Sequence, residues 1–245
     1  MSTELTIVIP ILKNNQPLES ELTLISQALI KFSINAEVIL VSNNTDFHLN
    51  PEKYQQISGP TLLKLRAVVT PDSSAKLGRL FRLGTSISDS RFVLYLLPEG
   101  KFDPQFIPKG LNLLRSGSSL VLANRFHNQN KASHGAASIF RKQRFLRSLF
   151  SIIGIMNLPQ DFTNSSRMFD KYIFDALAIS GNNWDMFAEL TIKCVLAKTK
   201  IESIEVAVKD FKTENDFQIT FLEAFLGLIR LVPRAFMHKL KISWF

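Results

Sequence analysis

The first half of the chain alternates between short apolar runs and longer segments in which apolar residues recur at helical spacing. The apolar runs are nearly continuous and rich in β-branched residues, which is typical of strands buried on both faces of a sheet. They predict strands at residues 5–10, 37–41, 63–69, 92–96 and 119–123. The segments between them predict helices at residues 18–32, 74–88 and 104–115. Because strand and helix alternate, we expect right-handed βαβ units and a mostly parallel sheet.

The second half of the chain has a mainly helical pattern. It predicts one strand at residues 200–208 and helices at 140–153, 171–179, 185–197 and 217–240. Pro233 falls inside the last helix, where a proline breaks or kinks the backbone. No internal repeat and no Pro/Gly/Ser-rich linker divides the chain. We therefore expect one α/β domain over residues 1–212, followed by a basic amphipathic helical extension over residues 213–245.

Composition narrows the class of protein. Hydrophobic residues make up 46% of the 245 residues and charged residues 20%, which excludes a disordered chain. A formal net charge of +8 favours partners that carry phosphate, such as nucleotides, anionic lipids or nucleic acid. Since the sequence contains no recognised nucleic-acid module, we expect no nucleic-acid partner.

Cysteine content and hydropathy favour a cytoplasmic location. Cys194 is the only cysteine, so no internal disulfide forms and a reducing compartment suits the chain. We interpret Cys194 as a small apolar residue on a helix rather than as a catalytic thiol. The first apolar run is too short for a signal peptide, and no stretch has the roughly 20 uninterrupted apolar residues of a membrane-spanning helix.

Polar motifs follow the predicted strands, at the carboxyl ends where parallel sheets bind ligands. In chain order, these and the related motifs of the second half are Ile9-Pro10-Ile11-Leu12-Lys13-Asn14, Ser42-Asn43-Asn44-Thr45, Lys76-Leu77-Gly78-Arg79, Leu97-Pro98-Glu99-Gly100-Lys101-Phe102-Asp103-Pro104, Ala123-Asn124-Arg125-Phe126, Asp161-Phe162-Thr163-Asn164-Ser165-Ser166-Arg167-Met168-Phe169 and Trp184-Asp185-Met186-Phe187-Ala188-Glu189-Leu190. In order and spacing they resemble the family 2 glycosyltransferases, especially polyprenyl-phosphate sugar transferases similar to dolichol-phosphate mannosyltransferase. Each motif is altered, so the resemblance depends on their collinearity over residues 4–212.

The resemblance implies a GT-A nucleotide-diphospho-sugar transferase fold, with a mostly parallel sheet flanked by helices and a helical C-terminal part. It places the nucleotide-sugar donor against a set of seven residues. These are Pro10, Ile11, Ser42, Asn43, Lys76, Arg79 and Glu99. Ser42 and Asn43 stand where the family has acidic residues; the alternative interpretation of this segment is a plain Asx-type turn.

The metal site implied by the family is reduced in this sequence. Two aspartates normally hold a divalent cation on the donor diphosphate, and oxygen ligands suit Mg²⁺ or Mn²⁺. Leu97 replaces the first aspartate, and Glu99 keeps a carboxylate at the second, so we expect at most a weak site. Lys76 and Arg79 offer compensating positive charge at a helix start, which itself favours phosphate. The alternative is that both are ordinary solvated cations.

The resemblance also implies an acceptor side, with Asp161 and Glu189 as catalytic residues. Arg125 and Arg167 are then suited to hold an acceptor phosphate by bidentate contacts. A lipid phosphate is already ionised, so it needs positioning more than a general base. The alternative interpretation is a buried Asp161–Arg167 pair with a purely structural role.

Residues 140–150 and the terminal helix interleave cations with large apolar side chains. Such segments suit an anionic membrane interface, although they also suit simple cover for a sheet. Together with these segments, the resemblance implies a glycosyltransferase of cell-envelope glycan biosynthesis that transfers a sugar from a nucleotide-sugar donor to a lipid-phosphate or glycan acceptor. The reaction would take place at the cytoplasmic face of the membrane. The alternative is a catalytically inactive homologue that acts as a binding or regulatory partner.

Overall fold

The computed structural model describes residues 3–12, 18–45, 47, 63–97, 102–125, 134–206 and 221–240. Within these residues the chain forms seven strands and seven helices. The strands are β1 (Leu5–Ile11), β2 (Ala36–Ser42), β3 (Leu63–Val69), β4 (Phe92–Tyr95), β5 (Leu120–Asn124), β6 (Arg167–Asp170) and β7 (Ile201–Glu205). The helices are α1 (Leu18–Lys31), α2 (Leu77–Ser86), α3 (Phe106–Arg115), α4 (His134–Ile152), α5 (Lys171–Ala176), α6 (Asp185–Leu196) and α7 (Phe221–Lys239).

The strands form one sheet in the order β3-β2-β1-β4-β6-β5-β7. Strands β3, β2, β1 and β4 are parallel, as are β5 and β7, and only β6 is antiparallel to its neighbours. The predicted mostly parallel α/β sheet is therefore confirmed. The strand order grows from β1 towards β3 in one direction and from β1 towards β4 in the other. This reversal is the topological switch point, beside which such sheets bind ligands.

Strand β6 is absent from the sequence prediction. It has only four residues and begins with Arg167 and ends with Asp170, so no apolar alternation marks it. Long-range pairing defines it instead, because it lies between β4 and β5 with Tyr95 opposite Arg167. A strand of this kind follows from its neighbours rather than from its own composition.

Apolar side chains fill both faces of the sheet, because successive strand residues point to opposite sides. On one face, Ile7 and its neighbours pack against α1 and α3. On the other, Val8 and its neighbours pack against α2 and α6, and this cluster includes Cys194. Burial raises the pKa of the Cys194 thiol to about 11, which agrees with an apolar rather than a catalytic role.

A third apolar cluster joins α7 to the rest of the molecule. It combines residues of α4, α6 and α7, including Leu146, Ile192, Leu228, Leu231 and Ala235. The described part of the C-terminal helix thus lies against α6, and the boundary at residue 212 stays a prediction, since residues 207–220 lie outside the described ranges. In the part of the chain that the structure describes, no helix combines the length and the apolar character needed to cross a bilayer.

Candidate active site

The carboxyl ends of β1 and β2 are fastened to each other by Ser42. Its hydroxyl donates to the carbonyl of Ile11 at 3.0 Å and accepts the N–H of Asn44 at 3.0 Å. Pro10, Ile11 and Ser42 are all buried at this edge. Both hydrogen-bonding functions of the hydroxyl are therefore used within the protein. Pro10, Ile11 and Ser42 thus lie in the buried carboxyl ends of β1 and β2. Their contact with a donor stays a prediction.

Asn43 fastens the start of α2 to the end of β2. Its side-chain amide donates to the carbonyls of Ser73 and Ala75, at 3.2 and 2.9 Å. Because these two residues precede the helix directly, Lys76 is held close to the carboxyl edge of the sheet. Asn43 therefore does more than end a strand in a plain turn, since its amide positions a second element.

A cleft of about 740 Å³ opens beside this helix start. Its walls are the segment before α2 and the first residues of that helix, the segment 180–185, and one side of α7. The charged lining residues are Lys76, Arg79, Arg230, Arg234, Asp72 and Asp185. We call this feature the basic cleft. Lys76 and Arg79, predicted from sequence to contact phosphate, thus line the same cavity.

Arg79 is oriented by an ion pair with Asp72. The hydroxyl and N–H of Ser74 also donate to Asp72, at 2.5 and 3.0 Å. The pKa of Asp72 lies below its usual range. The hydrogen bond from the Ser74 hydroxyl is the largest cause, and the bond from the Ser74 N–H and the positive charge of Arg79 add to it. About half of the Arg79 side chain, 53%, remains exposed. The pair therefore directs the guanidinium without removing it from the cleft.

Gly78 allows the two walls of the basic cleft to meet. A Cβ at this position would lie 2.7 Å from backbone atoms of Asn182 and Asn183, closer than carbon atoms approach. The N–H of Arg79 donates to the carbonyl of Asn182 at 3.2 Å across the same contact. The first turn of α2 and the segment 180–185 therefore form one continuous surface.

Glu189, predicted to be catalytic, holds the segment 180–185 in place through hydrogen bonds to its backbone. It is 2% exposed, and its carboxylate accepts the N–H groups of Ser180 and Gly181, the latter at 2.6 Å. It also accepts the Ser180 hydroxyl at 3.0 Å and forms an ion pair with buried Lys193 at 2.8 Å. The structure thus assigns Glu189 a positioning role for segment 180–185. Direct participation in a reaction stays a prediction.

Asp161 pairs with Arg125, whereas the alternative interpretation of the sequence paired it with Arg167. The guanidinium of Arg125 donates two bonds to the carboxylate, at 2.7 and 2.8 Å, and the Arg125 N–H adds a third at 3.0 Å. The amide of Gln143 donates at 2.9 Å. Asp161 is 2% exposed, while Arg125 keeps part of its side chain accessible. The bidentate geometry expected of Arg125 is present, with a partner inside the protein.

Arg167 is fully buried. Its guanidinium donates to the carbonyls of Phe162, Asn164 and Phe187 and to the Thr191 hydroxyl, and it lies 4.9 Å from the centre of the Phe187 ring. Burial lowers the pKa of Arg167 to about 9, so the side chain is still a cation at neutral pH. These contacts place Arg167 in the framework below the site, and its predicted contact with an acceptor gains no support from them.

The described residues do not fit a divalent metal ion. Leu97, which the resemblance aligns with the first metal-binding aspartate, is buried in the apolar cluster on the α2 face of the sheet. No group of three or more His, Cys, Asp or Glu side chains with metal-binding geometry occurs within the described ranges. Glu99, the one predicted ligand, lies outside the described residues. The Mg²⁺ or Mn²⁺ site therefore stays a prediction that depends on Glu99.

Sequence reasoning missed three parts of the cleft lining. Trp184, Arg230 and Arg234 line the same cavity as Lys76 and Arg79. The two arginines stand four residues apart in α7, a spacing that places both on one helix face. The sequence shows that spacing, but only the packing of α7 shows that this helix face lines the same cavity as the start of α2.

Comparison with known proteins supports the fold. No family model matches the chain, and no curated protein matches it in sequence. Mannosyl-3-phosphoglycerate synthase from Rubrobacter xylanophilus is similar at a TM-score of 0.70 and 11% identity, over 98% of this chain and 76% of that one. Glucosyl-3-phosphoglycerate synthase from Mycobacterium tuberculosis, in complex with Mn²⁺, uridine diphosphate and phosphoglyceric acid, is also similar. Its TM-score is 0.64 and its sequence identity 14%, over 98% of this chain and 80% of that one.

A third solved structure extends the same similarity. TarS from S. aureus, in complex with UDP-GlcNAc, is similar at a TM-score of 0.58 and 13% identity, over 96% of this chain and 67% of that one. All three are GT-A glycosyltransferases, so the chain has the GT-A fold predicted from the collinear motifs. The subgroup similar to dolichol-phosphate mannosyltransferase stays a prediction.

Proposed function

We propose that the chain is a glycosyltransferase that moves a sugar from a nucleotide-sugar donor to an acceptor. One observation carries this proposal. In a GT-A sheet, Asn43 fastens the start of α2, with Lys76 and Arg79, to the carboxyl end of β2. This is the edge at which open α/β sheets bind ligands, and a helix start with two cations suits a diphosphate. The uridine diphosphate complexes among the similar structures support the same ligand class.

In this proposal Lys76 and Arg79 stabilise the leaving nucleotide. The bond between sugar and diphosphate breaks with a gain of negative charge on the phosphate oxygens, and fixed cations stabilise that charge. Arg79 is already oriented by Asp72, so it needs little reorganisation when the charge develops. Pro10, Ile11, Ser42 and Asn43 form the donor wall at the strand ends. Glu99 stays the proposed metal ligand, where Mg²⁺ or Mn²⁺ would supply further positive charge.

The acceptor side acts by positioning in this proposal. Asp161 and Glu189 are buried and engaged by several donors each, which suits holding the site more than exchanging protons. An acceptor that arrives as an ionised phosphate requires no general base. Arg125 is the residue we assign to that phosphate, because its bidentate bond with Asp161 orients a partly exposed guanidinium.

We further propose that the acceptor is a polyprenyl phosphate or glycan at the cytoplasmic face of the membrane. The support is a set of exposed large apolar side chains on α4, on α7 and directly after α7. They are Phe145, Leu226, Ile229, Phe236, Met237 and Leu240. Large apolar side chains near a basic surface suit the interface of an anionic bilayer. Sedimentation with anionic but not with neutral liposomes, reversed by salt, is the expected result; equal sedimentation with both would count against membrane contact.

The second candidate is a catalytically inactive homologue that binds a nucleotide sugar or a partner enzyme. The observation that favours it is the burial of Leu97 in the apolar cluster at the end of β4. Leu97 removes one metal ligand implied by the resemblance, and the described residues contain no group of three or more His, Cys, Asp or Glu side chains that could hold a metal ion. Turnover separates the two candidates, because a binding protein holds the donor without consuming it.

Calorimetry with UDP-, GDP- and dTDP-sugars, with and without Mn²⁺, tests the proposal directly. We expect at least one donor to bind the wild-type chain. Arg79→Gln should lower the affinity for that donor about tenfold, the equivalent of one lost charge-assisted contact. Arg144→Gln, an exposed arginine on α4, is the matched control and should bind as the wild type does. Failure of every donor to bind would overturn the enzyme proposal. Binding without hydrolysis or transfer in any acceptor mixture would favour the second candidate.

A further inference from the structure

The C-terminal helix supplies cations to the basic cleft. Arg230 and Arg234 of α7 line the cavity opposite the start of α2. Both side chains are exposed, and no described residue forms a hydrogen bond or ion pair with either. Like charges four residues apart on one helix face repel each other, so this arrangement is unfavourable for the helix alone. A bound anion between them would remove that repulsion.

The balance of charge in the cleft is positive. Lys76, Arg79, Arg230 and Arg234 face Asp72 and Asp185, which leaves a formal excess of two positive charges. Both carboxylates already have partners. Asp72 accepts from Ser74 and Arg79, and Asp185 accepts the N–H of Asn183 at 3.0 Å. Because a concave wall concentrates the field of its charges, this excess attracts anions into the cavity.

The start of α2 adds to the same field. Its first turn contains no acidic residue, and the N-cap residue Lys76 makes no side-chain capping bond. The N-terminal end of a helix carries partial positive charge from its backbone N–H groups. The cleft thus combines a helix start with cations from two separate elements, and the exposed amide of Asn182 lies on the wall between them.

The packing of α7 fixes where its arginines stand. Leu228, Leu231 and Ala235 are buried in the cluster shared with α4 and α6, on the side of the helix away from solvent. Gly227 brings the helix close to α6, since a Cβ there would lie 3.1 Å from Cβ of Asp185. Arg230 and Arg234 are therefore held beside the cleft by a packed helix rather than by a free tail.

We propose that the basic cleft is a binding site for a phosphate-bearing ligand, with Arg230 and Arg234 as phosphate-binding residues. A phosphate group matches the excess of two charges and accepts the paired N–H bonds that guanidinium groups donate. The inference rests on the proposed function, because Lys76 and Arg79 belong to both sites. It adds that the C-terminal helix is part of the ligand site and not only an extension of the domain.

The phosphate has two possible sources, the diphosphate of the donor or a phosphate on the acceptor. Titration with inorganic pyrophosphate, alone and in the presence of saturating UDP, distinguishes them. If UDP excludes pyrophosphate, the cleft holds the donor diphosphate. If pyrophosphate binds with unchanged affinity beside UDP, the cleft holds the acceptor phosphate. Either result supports a phosphate site.

The decisive comparison uses the full chain in lipid-free buffer at fixed ionic strength. We expect the double variant Arg230→Gln, Arg234→Gln to bind pyrophosphate at least about tenfold more weakly than the wild type. This corresponds to the loss of roughly one charge-assisted contact or more. Arg141→Gln with Arg144→Gln removes the same charge from an exposed face of α4 outside the cleft. Equal weakening in both double variants would show attraction by net charge only, and no weakening in the first would show that α7 does not contribute. Both results overturn the inference.

The same experiment separates this inference from the proposed function. If no nucleotide sugar binds but the binding of pyrophosphate still requires Arg230 and Arg234, the phosphate site stands and the donor assignment fails. If a nucleotide sugar binds and is transferred equally by the Arg230→Gln, Arg234→Gln variant, the function stands and the inference fails. Thermal unfolding of both double variants checks that each is folded, since exposed substitutions should leave the transition nearly unchanged.

Discussion

Two polar regions of this molecule differ in a way that their sequences do not show. The buried polar network is formed by Arg125, Gln143, Asp161, Asn164 and Arg167, and three of these, Arg125, Asp161 and Arg167, belong to the motifs that resemble family 2 glycosyltransferases and were predicted as site residues. Its two central members, Asp161 and Arg167, are almost completely excluded from solvent, and each makes several hydrogen bonds inside the protein. In the basic cleft, only Lys76 and Arg79 were predicted from the motifs as site residues. Its cations are nevertheless the ones that remain accessible to a ligand.

The difference teaches that a matched residue type and an available functional group are separate properties. A buried charge requires partners, because an isolated ion is strongly disfavoured in a low-dielectric interior. Asp161 and Arg167 have acquired those partners, so their chemistry is directed into the fold. Solvent stabilises Arg230 and Arg234, and Arg79 remains about half exposed although it pairs with Asp72, so these side chains keep N–H groups able to bind phosphate.

The largest expected effect is on the buried network, from Arg167→Met. This change keeps an unbranched apolar side chain but removes the donors to the carbonyl of Asn164 and to its neighbours. We expect the free energy of unfolding to fall by at least about 3 kcal/mol, since several bonds to a charged group are lost together. Urea unfolding followed by circular dichroism measures it. Arg144→Met, on the exposed face of α4, should change stability by less than about 0.5 kcal/mol. Unchanged stability with lost activity would instead place Arg167 at the acceptor.

Asp161→Asn should have the next largest effect. The substitution keeps the shape of the side chain but removes the charge that pairs with Arg125, and we expect a loss of about 2 kcal/mol because Arg125 is still partly solvated. A double-mutant cycle with Arg125→Gln should give a coupling energy of at least about 1 kcal/mol. Strict additivity of the two single changes would show that the pair contributes nothing to stability.

Gly78→Ala tests whether the walls of the basic cleft depend on close approach. The new Cβ would overlap backbone atoms of the segment 180–185, so that segment must move and stability should fall by about 1–2 kcal/mol. Pyrophosphate binding should weaken in parallel. Gly110→Ala in α3 is the control, because its closest contact would be the flexible end of Met168, at 3.2 Å, rather than backbone. Equal stability of the two variants would contradict the described contact.

The smallest effect concerns Cys194 and appears only at alkaline pH. Its folded pKa of about 11 lies above the ordinary value of 9.0, so the neutral thiol favours the folded state. This contribution is complete below pH 9 and is lost as pH rises towards 11. The free energy of unfolding should therefore fall more steeply over this range in the wild type than in Cys194→Ala. Parallel pH profiles would show that the thiol does not titrate differently in the folded state.

The strands of the sheet were accessible to prediction because each is an apolar run. Strand β3 was predicted with its observed bounds, and β1 and β2 were predicted to within one residue. The start of α2 was predicted three residues early, because Ser74 and Ala75 belong to the segment held by Asn43 rather than to the helix. Strand β6 was missed, since its pairing with β4 and β5 comes from distant parts of the chain.

The candidate site was predictable only where it follows the regular order of strands and helices. Lys76 and Arg79 could be placed near the sheet edge, because their helix follows a predicted strand in a regular βαβ order. Arg230 and Arg234 could be placed together on one helix face, but their helix has no partner in the sequence pattern. Only the packing of α7 against α6 brings the two pairs of cations to one cavity.

By itself, then, the sequence determined the α/β alternation, the basic character of the chain and the positions of its strand ends. These are local properties, because periodicity and composition act over a few neighbouring residues. The tertiary structure alone decided that Asp161 pairs with Arg125, that Glu189 supports the segment 180–185, and that α7 closes the basic cleft. Each of these depends on which distant groups share a low-dielectric interior or a solvent-filled cavity, and that is settled only when the chain is packed.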